Sequence, residues 1–295
     1  PLDGTINQTD FSVTMGPVAS MRLDDPFPQI TVTGGALFPI SPVIELFDIG
    51  GNMMTDDSFT DIQVSVENLI ATVEIQRAPH NFFDLVLIQQ LSKAFDILGH
   101  DSNCRAIVLA SEGKSFCAGA NFGSGQPDES GSDDFTEKGF QNTTGKLYTE
   151  AAKLFACRKP IVAAVHGPAI GGGFGLALVA DFRVGSEQTR FSANFVKLGL
   201  HQGFGITHTL PRLVGAQNAH RLLLTGSRIS GPAALDLGLI DKLVSPENVR
   251  KEAISLASEI AENAPLAISS VRATMQVDME RQVREITKHE LSEQQ

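Results

Sequence analysis

Two glycine-containing turns carry the clearest chemical pattern in the sequence. Residues 166–178 read HGPAIGGGFGLAL and directly follow the apolar run IVAAV, while residues 113–122 read GKSFCAGANF and follow RAIVLASEG. A strand, a glycine turn and a helix in succession present backbone N–H groups that lack intrahelical partners at a positive helix end. Two such turns on neighbouring strands could direct two N–H groups at one point. That arrangement is an oxyanion hole, which stabilises charge developing on a carbonyl oxygen.

Known phosphate-binding and nucleophile motifs do not account for these glycines. The dinucleotide pattern G-x-G-x-x-G needs a glycine where the chain has Leu176, and a P-loop containing GKS needs one where it has Val108. No G-x-S-x-G, H-E-x-x-H or EF-hand sequence occurs. A close helix–strand crossing would explain one or two glycines, but it explains three in succession poorly.

The hydrophobic pattern predicts the elements that position the turns. IQVSVENLIATVEIQR alternates like two paired strands, and residues 85–98 form a helical stripe that ends near Gly99. RAIVLASEG and IVAAV are apolar without alternation, which is typical of buried parallel strands. A polar loop over 122–139 and a helix over about 143–157 are predicted between them.

The C-terminal part of the sequence is predicted to be mainly helical. Beyond Pro211, Ser230 and Pro246 stand before helical patterns, and a last long helix is expected from Pro265 towards the end. Its apolar face is expected to make a subunit contact, and it contains Ile268, Val271, Met275, Met279 and Val283.

Composition limits the classes of partner and compartment. The net charge is −11, and the first 60 residues hold eight acidic residues against one basic residue, Arg22. This distribution argues against nucleic acid, and no apolar run is long enough for a membrane span. The acidic start is unlike a transit peptide. Three cysteines at spacings that fit neither disulfides nor zinc favour a reducing, cytoplasmic location.

From about residue 62 to 275 the chain resembles the crotonase (enoyl-CoA hydratase/isomerase) superfamily. The matching stretches are RAPHN, SFCAGANF, KPIVAAVHGPAIGGGFGLAL, GLHQGFGITHTLPRLVG and LTGSRISGPAALDLGLIDKLV. The resemblance implies an α/β fold, a spiral of ββα units with a helical C-terminal trimerisation region. It also implies an acyl-CoA thioester substrate, a homotrimer or hexamer, and oxyanion donors at the backbone N–H groups of Ala120 and Gly172. Three domains are expected: an acidic extension over 1–60, the core over 61–211 and the helical region over 212–295.

The sequence departs from the hydratases of that family at their two catalytic glutamates. The positions that would hold them are Gly175 and Phe195, and neither residue can transfer a proton. Tyr148 and His201 are candidates for a replacement role, although packing explains Tyr148 at least as well and a surface loop explains His201 equally well. The residues predicted to be catalytic are Ala120, Gly172, Tyr148 and His201. A second group of residues is predicted to contact the substrate. These residues are His80, Ala118, Gly171, Gly175, Asn194, Phe195 and Gln202.

The sequence is compatible with three hypotheses for the function. The leading one is an acyl-CoA enzyme that stabilises a thioester enolate without the two-glutamate apparatus, as a decarboxylase, an isomerase or a carbon–carbon hydrolase. The second is a catalytically silent protein of the same fold that binds acyl-CoA or a partner. The third is a hydratase with a rearranged acid and base. No cofactor or metal is expected beyond coenzyme A as part of the substrate.

Overall fold

The computed structural model describes residues 59–120 and 137–294, together with two short strands at 20–23 and 44–47. The chain divides into two units, Pro1–Asp56 and Asp57–Gln295. In the first unit, β1 (Ser20–Leu23) pairs antiparallel with β2 (Ile44–Phe47). The rest of the predicted acidic extension up to residue 58, and most of the predicted polar loop over 122–139, lie outside the described residues. The second unit contains both the predicted core and the predicted helical region.

The second unit is a mixed α/β structure, as predicted. Its strands are β3 (Ile62–Glu67), β4 (Ile70–Ile75), β5 (Ala106–Ser111), β6 (Ile161–Val165), β7 (Pro168–Ile170), β8 (Phe182–Gly185), β9 (Arg190–Ser192), β10 (Ile229–Ser230) and β11 (Lys242–Leu243). Its helices are α1 (Leu85–His100), α2 (Glu137–Lys153), α3 (Gly172–Ala177), α4 (Ile206–Val214), α5 (Ala216–Thr225), α6 (Gly231–Asp236), α7 (Val249–Ala261), α8 (Pro265–Met275) and α9 (Met279–Glu293). Short 3-10 helices lie at Leu154–Ala156, Asn194–Leu198 and Pro246–Asn248.

The strands form a six-stranded and a three-stranded sheet. The larger sheet has the order β11-β8-β6-β5-β4-β3, and the smaller has the order β10-β9-β7. The predicted hairpin is confirmed, because β3 pairs antiparallel with β4. From β4 to β11 the larger sheet is parallel. Because the carboxyl ends of parallel strands share one edge, the turns that follow β5 and β6 emerge side by side.

Both faces of the larger sheet are buried, which explains the unbroken apolar strands. All six residues of β5 are buried, and alternate side chains point to opposite faces. Ile107 and Leu109 pack into one apolar cluster with α1, while Val108 packs into a second with Ala253 and Ala257 of α7. A sheet covered on both faces needs apolar residues at successive positions, so alternation is lost.

The prediction of a single long C-terminal helix from Pro265 is wrong, because the structure has two helices, α8 and α9, in this part of the chain. Asp278 adopts a left-handed backbone with φ of 60° and separates α8 from α9. The predicted apolar face is therefore split. Met279 and Val283 of α9 are buried in the core, whereas Val271 and Met275 of α8 remain 59% and 71% exposed.

Candidate active site

The two glycine-containing turns lie against each other. After β5, Cys117 donates its N–H to the oxygen of Pro168 at 3.1 Å and accepts the N–H of Ile170 at 3.0 Å. A Cβ on Gly119 would lie 2.8 Å from the oxygen of Ile170 and 3.8 Å from the nitrogen of Gly172. The local sequence thus folds so that the turn containing Ala118–Ala120 reaches the start of α3.

The glycine triplet allows this approach for two separate reasons. Gly171 has φ of 55°, a conformation that L side chains rarely adopt, and its N–H donates to the oxygen of Ser192 at 2.8 Å. A Cβ on Gly173 would lie only 2.7 Å from the carbonyl carbon of Cys117 and closer still to its oxygen. Gly172 between them is the first residue of α3, so its N–H has no acceptor within the helix.

Two backbone groups of the first turn are engaged in hydrogen bonds with the segment around His80 and Phe83. Ala118 donates its N–H to the oxygen of His80 at 3.0 Å, and the oxygen of Gly119 accepts the N–H of Phe83 at 3.0 Å. These two bonds fix the turn on either side of Gly119, directly before Ala120. The assignment of the Ala120 and Gly172 N–H groups as oxyanion donors stays a prediction.

Phenyl rings surround the start of α3. Phe83 and Phe204 lie with their ring centroids 5.5 Å apart, and a Cβ on Gly172 would clash with Phe83. A Cβ on Gly175 would lie 2.6, 2.8 and 2.9 Å from the Cδ1, Cβ and Cγ atoms of Phe204. The ring of Phe195 lies 3.8 Å from the Cβ position of Gly171. Of the two positions at which the sequence resemblance predicts that glutamates are replaced, Gly175 is therefore packed under one phenyl ring and Phe195 is itself a second.

Two polar side chains, Asn194 and Cys117, lie close to the glycine triplet. Asn194 begins a 3-10 helix, and its Oδ1 atom lies 3.4 Å from the Cβ position of Gly171. Cys117 is fully buried, and its burial raises the pKa of the thiol to about 12, so the thiol is neutral at physiological pH. A neutral thiol is a poor nucleophile, which leaves Asn194 as the nearer candidate for orienting a substrate.

Tyr148 lies in the predicted helix α2 and contacts Gly203, the residue before Phe204. Its hydroxyl donates to Oε1 of Gln294 at 3.2 Å, and its ring carbon Cζ would lie 2.7 Å from a Cβ on Gly203. Burial raises the pKa of Tyr148 further above its ordinary value. The structure therefore places Tyr148 against the segment that carries Phe204, and its catalytic role stays a prediction.

His201 and Gln202 lie on the same segment as Phe204. Nδ1 of the half-buried His201 lies 2.9 Å from the oxygen of Gln202, and the ring lies 6.2 Å from that of His289. Gln202 is buried and donates Nε2 to the oxygen of Leu223 at 2.9 Å, while its Oε1 has no partner among the residues that the structure describes. His80 is exposed, and its Nδ1 lies 3.4 Å from Oγ of Ser115. The predicted roles of these three side chains remain untested.

Three residues at this site are not identified by the sequence patterns: Phe83, Phe204 and Glu290. Phe204 has one local signal, because it stands between two glycines in the stretch QGFGIT. Glu290 is fully buried in α9 and accepts the N–H of Gly205 at 2.7 Å. A contact across that sequence separation has no local signal, since only the tertiary fold brings α9 to this loop.

Two further features of the described ranges concern other functional classes. Over residues 59–120 and 137–294, no group of three His, Cys, Asp or Glu side chains is placed to hold a metal ion. No helix in the same ranges is long and apolar enough to cross a membrane. The three cysteines are free and buried.

Comparison with known proteins identifies the family of this chain. Residues 65–295 match the family described as enoyl-CoA hydratase/isomerase. A probable enoyl-CoA hydratase of Bacillus subtilis is 34% identical over 71% of this chain and 80% of its own length. A peroxisomal Delta(3,5)-Delta(2,4)-dienoyl-CoA isomerase of Arabidopsis thaliana is 31% identical over 75% of this chain and 84% of its own.

Solved structures show the same fold. An enoyl-CoA hydratase/isomerase of Pseudoalteromonas atlantica superimposes with a TM-score of 0.68 at 25% identity, covering 79% of this chain and 90% of that one. DspI of Pseudomonas aeruginosa superimposes with a TM-score of 0.69 at 27% identity, covering 81% and 89%. The resemblance stated from the sequence motifs is confirmed: this chain belongs to the enoyl-CoA hydratase/isomerase family, with the crotonase fold.

Proposed function

We propose that this protein converts an acyl-CoA thioester through an enolate whose oxygen is held by the backbone N–H groups of Ala120 and Gly172. The observation that carries the proposal is the pairing of a close-packed glycine turn with phenyl side chains. Gly175 is packed under Phe204, and Phe195 lies beside Gly171. The turn supports stabilisation of an oxyanion, and the phenyl rings supply no group that could activate water.

The chemistry that fits such a site best forms an enolate without a strong protein base. In a malonyl-type thioester, the bond between C2 and its carboxylate breaks, carbon dioxide leaves, and the electron pair moves into the thioester enolate. A proton from water then completes the product at C2. Each backbone donor is worth roughly 3–4 kcal/mol of transition-state stabilisation by analogy with measured oxyanion holes. Isomerisation or carbon–carbon hydrolysis would in addition need a base, for which Tyr148 and His201 are the candidates.

The oxyanion assignment is tested by comparing Gly172→Pro with Gly172→Ala. Both variants add a Cβ that meets Phe83, and proline in addition removes the N–H and constrains the backbone of the turn. The probe is trans-cinnamoyl-CoA, whose absorbance is recorded when it is bound to the protein. The chain contains no tryptophan, so tryptophan absorbance does not overlap with the signal of the probe. We expect a red shift of the bound thioester with wild-type protein and a smaller red shift with Gly172→Pro than with Gly172→Ala. A red shift in Gly172→Pro as large as that of the wild type would contradict the assignment.

Crotonyl-CoA hydration separates the three hypotheses for the function. The enone absorbance is followed with purified protein, then malonyl-type and β-keto thioesters are supplied. The proposal expects slow or no hydration and turnover of the second group. Hydration at an ordinary enzyme rate would favour the rearranged hydratase. Binding without turnover across the whole panel would favour the catalytically silent protein.

We further propose that the protein acts in the cytoplasm as a homotrimer or hexamer. Support for self-association comes from exposed apolar residues of α8 and from Val277, two residues beyond the end of that helix. Leu266, Val271, Met275 and Val277 are between 59% and 85% exposed. An apolar surface of this kind is typical of an interface between protein chains. Light scattering of the wild type and of Leu266→Glu tests this, since the charged variant should lower the measured mass.

A further inference from the structure

Phe204 holds an unusual backbone conformation next to the oxyanion turn. Its φ is 61°, although bulky residues avoid this left-handed region, and its side chain is only 1% exposed. The ring packs on Phe83 and covers both Gly172 and Gly175. A residue in a sparsely populated conformation persists only where surrounding contacts fix it, and such residues cluster at functional sites.

The last helix of the chain supplies those contacts. The carboxylate of Glu290 accepts the N–H of Gly205 at 2.7 Å, the N–H of Thr207 at 3.1 Å and the hydroxyl of Thr207 at 2.6 Å. Gln294 donates Nε2 to the oxygens of His201 at 2.7 Å and Gln202 at 3.1 Å. The backbone is thus held on both sides of Phe204.

The fixed ring removes the space beside Gly175. A Cβ at this position would meet the Cβ and Cγ atoms of Phe204 at 2.8 and 2.9 Å. These atoms lie next to the backbone, so rotation of the ring does not relieve the clash. A side chain or a water molecule can occupy this volume only if Phe204 is removed or its backbone moves.

We propose that Phe204 determines the reaction specificity of this site by filling the volume beside Gly175. The inference rests on the proposed enolate chemistry, and it adds the residue that excludes water addition. Substrates of this site are then acyl-CoA thioesters whose conversion needs no protein-activated water at the carbons next to the thioester. Glu290 and Gln294 act as positioning residues, because they hold the backbone that carries the ring.

A double-substitution cycle on Gly175 and Phe204, measured by thermal unfolding, tests the steric part. Gly175→Glu alone is expected to lower the unfolding temperature through the clash, and Phe204→Ala alone to lower it through a cavity. With both substitutions the glutamate occupies the vacated volume. The combined loss should then be smaller than the sum of the single losses by about 4 °C or more.

Two further variants keep this test interpretable. The matched control combines Gly175→Glu with Phe95→Ala, because Phe95 is equally buried but lies on α1. In this control the two decreases in unfolding temperature should be additive. Phe204→Leu repeats the cycle with a milder cavity if the alanine variant unfolds.

Crotonyl-CoA hydration tests the specificity part. The variant with Gly175→Glu and Phe204→Ala is expected to hydrate at least about tenfold faster than the wild type, since it carries a carboxylate with room beside it. Additive temperature losses, or coupled losses without a gain in hydration, would overturn the role of Phe204. Fast hydration by the wild type would instead overturn the proposed function. The unfolding temperatures of the four proteins in the cycle do not depend on activity, so they show separately whether Phe204 fills the volume beside Gly175.

Discussion

Replacing Gly173 by alanine tests the close approach of the two turns. The added Cβ would lie 2.7 Å from the carbonyl carbon of Cys117, where contacts shorter than 3.0 Å are essentially never observed. The segment carrying Cys117 must therefore move by at least about 0.3 Å, and by more to clear the oxygen. That oxygen accepts the N–H of Ile170, and the N–H of Cys117 donates to Pro168.

The expected cost follows from those two buried hydrogen bonds. Weakening each one costs about 1–3 kcal/mol when the partners remain buried. Alanine recovers about 1 kcal/mol through its better helix propensity, since Gly173 lies in α3. We therefore expect Gly173→Ala to lower the free energy of unfolding by about 3 kcal/mol. The displaced turn should also lose the red shift of bound cinnamoyl-CoA, because the start of α3 no longer faces it.

Urea unfolding followed by circular dichroism gives the free energy, and a second glycine provides the control. Gly145 lies inside α2, and a Cβ there would meet only the flexible tip of Leu291 at 3.2 Å. Gly145→Ala should leave stability unchanged or raise it by up to about 1 kcal/mol. A Gly173→Ala protein as stable as the wild type, with its red shift retained, would refute the reasoning.

Three further predictions concern the supports of the site. Burial raises the pKa of Glu290 in the folded state above its value in the unfolded state. Between these two pKa values the folded state binds more protons than the unfolded state, so the free energy of unfolding falls as the pH rises through this range. Glu290→Gln should flatten this dependence in urea titrations at several pH values. Arg272 is the buried residue of α8, and its Nε lies 2.8 Å from Oδ2 of Asp181. Arg272→Ala should lower the free energy of unfolding by about 3–5 kcal/mol and speed hydrogen exchange in α8. Unchanged exchange would show that this ion pair does not hold α8 in place. Tyr148→Phe should cost about 1 kcal/mol through the lost bond to Gln294, and a turnover equal to that of wild type would remove Tyr148 from the catalytic candidates.

The hydrophobic pattern of the sequence predicted the buried parallel strands correctly. β5 and β6 were recognisable because a parallel strand covered on both faces requires apolar residues throughout. The pattern failed at the last helix. Periodicity continued through Gln276–Asp278, while the left-handed backbone at Asp278 directs the two halves to different surroundings. Helical spacing does not report which neighbour a face meets, so it could not separate the buried Val283 from the exposed Met275.

The sequence by itself determined the family, the two glycine turns and the lack of carboxylates at Gly175 and Phe195, because residue identity and order are local properties. Only the tertiary structure decided what occupies the space beside Gly175. Phe204 fills it, and Glu290 holds the adjoining backbone in place from another helix. The physical reason is that packing at the turn depends on segments distant in the chain, whose positions are fixed when the whole core closes around them.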